Sequence, residues 1–406
     1  MTEPSRNSKP VLRSSMERLL RLAGNPAVLT ARIHALNILY VLFKDSKLAE
    51  FVVPYTGPAF ELSIRGFSEE LWSLRNSSTM IFTVLMTRLF SNRQNRARQT
   101  TDATFFSMFS NLHPYFLGEI ARATSGGDGG EKCLYQPSLY PILMILQRLT
   151  PCPLSVDEPS LSLSTFRPLI QSFSLSGVYK TRSLAAEALS SIIPSPEIQE
   201  FVITQLSELQ PTGMKHNEIH GVLLQVTHAL QKCSDVSEVL RKLIDKYWLL
   251  TNSRCPYTAA LYVSIVTDAL DSGDISKHQD KFPKLTELVD KSLDIIKLGH
   301  RLGPLCTLKD ACLGFILALK SVDLTTKLLQ KGSQDVVEVV FETPDLHTWY
   351  TVEMEGLCDN TKLPLSGLLH LFKVSVSLIV MLPGKLRYPK SCAKIAPKSK
   401  LKNRSQ

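Results

Sequence analysis

Apolar residues recur along most of this chain at intervals of three and four, the spacing of helices that each bury one face. The pattern predicts helices over Ala31 to Lys44, Leu71 to Phe90, Tyr115 to Ala123, Ser138 to Leu149, Tyr179 to Ile193, Ile198 to Leu209, Glu218 to Gln231, Val236 to Leu250 and Tyr257 to Leu270. Pro, Gly and Ser clusters break them at short intervals. Alternating stretches such as Val336 to Phe341 are too few to build a sheet. The expected fold is all-α, a HEAT/armadillo-like α-solenoid of antiparallel helix pairs over residues 11–383. A disordered N-terminus (1–10) precedes it and a basic, disordered tail (384–406) follows.

Three of these helices align on an arginine. Val28-x3-Arg32-x2-Ala35-Leu36, Leu71-x3-Arg75-x2-Ser78 and Val178-x3-Arg182-x2-Ala185-Ala186 share an apolar residue, an Arg four later and a small residue three beyond. Arg32 and Arg75 fit a period of roughly 40 to 47 residues, that of HEAT and armadillo units. The small residues allow close helix approach, and each Arg could reach loop carbonyls or an acid of the adjacent repeat. The alternative is a chance match of three amphipathic helices.

Composition fits a soluble globular protein, with 44% apolar and 20% charged residues. Eight cysteines without a C-x-x-C pair and a polar N-terminus predict reduced thiols in a cytoplasmic (cytosolic) or nuclear protein. Leu365 to Leu382, interrupted by His370 and Lys373, reads as a buried helix and not a membrane span. The net charge of +9 sits almost entirely in the tail, because Gly384 to Gln406 holds eight basic residues and no acid. The remaining body is nearly neutral, so the basic pI is no evidence for a basic groove along it.

Sequence motifs for chemistry are missing: no G-x-G-x-x-G after a strand, no Walker sequence, no G-x-S-x-G and no H-E-x-x-H. The expectation is therefore a chain that is not an enzyme, with no cofactor and no metal. The run Ser125 to Gly130 reads as an exposed flexible loop, not a phosphate cradle. His216 and His220 share one helical face, but zinc needs further ligands. The plainer reading makes Asn217 a helix cap and leaves His220 satisfied in the inter-helix core. Arg88, Arg93, Arg96 and Arg98 close or follow the Leu71 to Phe90 helix with no acid until Asp102. They form either a phosphate-binding loop or a solvated loop whose first arginines meet the helix C-terminus.

Several segments resemble the thyroid adenoma-associated protein (THADA) family, which includes non-catalytic partners of an FtsJ-type tRNA ribose methyltransferase. They are Arg32-Ile33-His34-Ala35-Leu36-Asn37-Ile38-Leu39, Trp72-Ser73-Leu74-Arg75-Asn76-Ser77-Ser78, Val178-Tyr179-Lys180-Thr181-Arg182 and Asn217-Glu218-Ile219-His220-Gly221-Val222-Leu223-Leu224-Gln225. The resemblance spans about residues 25 to 270. It implies a scaffold supporting 2'-O-methylation of ribose at nucleotide 32 of the tRNA anticodon loop, with tRNA held in a complex whose methyltransferase supplies the S-adenosylmethionine chemistry. Family members are far longer and carry an R-R-S-A-G-[IL]-P motif before the first of these segments. Here Leu19 to Pro26 keeps only an echo of it, so a central fragment or short isoform is expected. RNA phosphates would meet Arg88, Arg93, Arg96 and Arg98. Arg32, Trp72, Arg75, Asn76, Arg182, Asn217, His220 and Gly221 match family motifs and are read mainly as packing residues. The alternatives are a protein-only HEAT-repeat adaptor, or a truncated chain without independent activity.

Overall fold

The computed structural model describes residues 9–90, 100–125, 136–152, 162–253, 255–272, 283–296 and 304–319. They fall into two compact units, one ending at Asp235 and one starting at Val236. The first holds α1 (Lys9–Gly24), α2 (Leu29–Lys44), α3 (Ala49–Val52), α4 (Thr56–Gly66), α5 (Trp72–Phe90), α6 (Asp102–Met108), α7 (Leu112–Ser125), α8 (Leu139–Leu146), α9 (Arg167–Ser172), α10 (Tyr179–Ile192), α11 (Ile198–Glu208) and α12 (His216–Leu230). The second holds α13 (Ser237–Asp245), α14 (Trp248–Thr251), α15 (Pro256–Ser272), α16 (Pro283–Ile296) and α17 (Pro304–Ala318). Among the described residues, extended pairing is confined to a parallel bridge of Thr100 and Thr101 with Leu149 and Thr150.

The first unit is an all-α repeat array. Consecutive helices α1 and α2, α4 and α5, and α11 and α12 pack together across short connections, which makes antiparallel pairs. The second helices of successive pairs then lie side by side and parallel. At the start of α2, Arg32 reaches Glu69 just ahead of α5 at 2.5 Å. At its end, Arg88 of α5 donates to the carbonyls of Phe43 and Asp45. The pair α10 and α12 repeats this arrangement: Tyr179 and His220 meet near their starts, with ring centroids 5.8 Å apart, and Lys232, just past α12, donates to Ser190 O in the last turn of α10 at 2.5 Å.

Burial follows the helical period. On α2 the buried positions are Ala35, Leu36, Leu39 and Phe43, a single stripe, whereas α10 buries Thr181, Arg182, Leu184 to Ala186, Ala188 to Ser190 and Ile192 because neighbours cover it on several sides. Between the pairs, Phe105, Phe106, Phe109, Phe116 and Phe166 form a buried aromatic cluster around His113. Asp102, 2% exposed, ties that cluster to its loops: Oδ1 accepts from the amides of Ala103 and Cys152 at 2.8 and 2.9 Å, and Oδ2 from Leu163 at 3.2 Å.

In the second unit, the helix predicted over Val236 to Leu250 divides into α13 and α14. The Leu243 carbonyl accepts from Lys246 N at 2.9 Å and from the buried Tyr262 hydroxyl at 2.8 Å, so the chain tightens there instead of continuing its helical ladder. Tyr262 is fully buried, and burial raises its hydroxyl pKa. No helix of the described residues is long and apolar enough to cross a membrane. The 384–406 tail, Leu365 to Leu382, Val336 to Phe341 and Gly126 to Gly130 lie outside the described residues.

Candidate functional site

The three aligned arginines occupy equivalent places. Each donates its backbone amide to the carbonyl of the apolar residue four earlier: Arg32 to Val28, Arg75 to Leu71 and Arg182 to Val178. Arg32 Nε donates to Ala23 O at 3.2 Å, where α1 ends, while its Nη2 binds the Glu69 carboxylate. Arg75 Nη1 donates to Glu69 O and Glu70 O at 2.8 and 2.6 Å, and Arg182 Nη1 to Ser176 O at 2.6 Å. These guanidinium groups therefore satisfy carbonyls that the turn ahead of each helix leaves open. A sequence scan shows the spacing but not which carbonyls are open.

Neighbouring motif residues set how near the helices come. Ser77 Oγ donates to Asn37 Oδ1 at 2.9 Å, linking α5 to α2. Gly66 at the end of α4 faces Ser78, and a Cβ there would lie 2.5 Å from the serine Cβ. A Cβ on Gly221 would lie 2.5 Å from Ser174 Cα and 2.8 Å from its carbonyl carbon, so α12 touches backbone at that point. Gln225, about one turn further along, donates to Gln171 O at 3.1 Å. Trp72 and Asn76 behave differently from this packing set: Trp72 is 70% exposed, and Asn76 is exposed with a long contact to Met80 Sδ at 3.9 Å. Their faces of α5 point away from both α2 and α4.

The histidine pair does not converge. His216 is exposed, whereas His220 is half-buried between the Tyr179 ring and Arg182. Burial first and the Arg182 charge second hold its pKa down to about 4, so the ring is neutral at physiological pH. Its Nδ1 is buried with no hydrogen-bond partner among the described residues, so the ring is not satisfied in the inter-helix core, contrary to the expectation from sequence. Asn217 is not the cap either: α12 starts at His216, Lys215 holds the N-cap position, and its amide donates to Glu218 Oε2 at 3.4 Å. The cap falls two residues early because Glu218 satisfies that amide.

Among the described residues no three His, Cys, Asp or Glu side chains gather as a metal-binding group. Cys312 is buried and its thiol is pushed up to about 12 by desolvation, the opposite of a reactive thiolate. Of the arginines considered for phosphate contact, Arg88 is half-buried, with Nε and Nη2 engaged by the carbonyls at the end of α2. Arg93, Arg96 and Arg98 lie outside the described residues.

An array of helix pairs with its polar groups turned to its own turns is a helical-repeat protein, a class that works through extended surfaces. Comparison with known proteins narrows the class. Residues 1–73 match the family model described as THADA/TRM732, DUF2428, and residues 75–229 match that of Trm732, C-terminal TPR repeats. The human protein named tRNA (32-2'-O)-methyltransferase regulator THADA is 33% identical over 291 residues, 65% of this chain and 15% of its own length. The Schizosaccharomyces pombe tRNA (32-2'-O)-methyltransferase regulator trm732 is 30% identical over 286 residues, 66% of this chain and 18% of its own length. The Drosophila melanogaster regulator THADA is 30% identical over 261 residues, 56% of this chain and 15% of its own length. The chain belongs to the THADA/Trm732 family, and it spans less than a fifth of the length of these relatives. The TPR description and the HEAT-like expectation agree on antiparallel helix pairs in series.

Proposed function

We propose that this chain is a regulatory scaffold, without catalytic chemistry of its own, for 2'-O-methylation of the ribose at nucleotide 32 of tRNA. The observation that carries this reading is the name shared by vertebrate, insect and yeast relatives, each a tRNA (32-2'-O)-methyltransferase regulator, over more than half of this chain. The partner is an FtsJ-type methyltransferase that brings S-adenosylmethionine, and the complex works in the cytosol. A helical-repeat array offers an extended surface for both enzyme and anticodon arm. Phosphate contacts fall to Arg93, Arg96 and Arg98, while Arg88 anchors the end of α2.

The test combines the purified chain, the purified methyltransferase and an unmodified tRNA transcript, and follows methylation at nucleotide 32. Binding with raised methylation is the expected result. A folded chain that neither binds nor stimulates would point to the protein-only adaptor, a reading that the near-neutral body of the chain favours.

A further inference from the structure

We draw no further inference here: the strongest candidate, the apolar groove lined by Leu12 and Leu19 of α1, Ile38 and Leu42 of α2 and Phe51 of α3, is an open face, and nothing among the described residues shows what covers it.

Discussion

At the scale of single residues, glycines and a histidine carry the tightest constraints. Gly221 lies against the Ser174 backbone, which cannot swing aside as a side-chain tip can. Gly221→Ala should therefore destabilise the fold by about 2 to 3 kcal/mol, read as a shift in the urea midpoint. At Gly66 the obstacle is the Ser78 side chain, so Gly66→Ala should be largely rescued by Ser78→Gly, and a double-mutant cycle will show the coupling. His220 ties stability to pH. Its pKa of about 4 in the folded chain lies below the ordinary 6.5, so the unfolded chain takes up the proton first. The stabilisation is whole above pH 6.5 and is lost as pH falls from there toward about 4. His113 and His228 are shifted the same way by burial. Urea midpoints at pH 7.5 and pH 4.5 should differ less in His220→Gln than in the unsubstituted chain.

At the scale of elements, carbonyls at helix ends and turns are met by long side chains from the next element. Asp102 does the converse, offering its carboxylate to three amides. Asp102→Ala leaves the half-buried amide of Cys152 and the buried amide of Leu163 without this acceptor, and a loss of about 2 to 4 kcal/mol in unfolding free energy is expected. Arg88→Met keeps most of the side-chain length but frees the Phe43 and Asp45 carbonyls, so it should lower the thermal midpoint. Replacing Arg93, Arg96 and Arg98 together by Ala should leave that midpoint unchanged. The same triple variant should lower the dependence of tRNA affinity on salt, the slope falling by about 0.7 to 0.9 for each phosphate no longer neutralised.

For the whole molecule, charge separates the tail from the rest. Eight basic residues without an acid in 384–406 attract any polyanion, while the body is close to neutral. Removing 384–406 should reduce binding to unrelated RNA at low salt and leave the methyltransferase affinity as it was, measured with the immobilised enzyme. The Tyr262 hydroxyl works inside the second unit, where its bond to Leu243 O holds the break between α13 and α14. Tyr262→Phe should lower stability by about 1 kcal/mol with little change in helical circular dichroism.

The residues by themselves determined the helices that carry a regular apolar stripe, from Ala31 to Lys44 through Tyr257 to Leu270, because burial on one face imposes a 3.6-residue period whatever the neighbours are. They also held the arginine register and the family segments, which are local patterns of identity and spacing. Short elements rich in Gly and Pro, such as α4, and the break after α13 stayed hidden, since the latter depends on a hydroxyl 19 residues away taking one carbonyl. The tertiary structure alone decided which charged groups are committed to carbonyls, which glycine faces backbone, and that Trp72 faces solvent while Ser78 in the same motif is buried. Those outcomes depend on which helices become neighbours, and exposure is a property of neighbours and not of the residue.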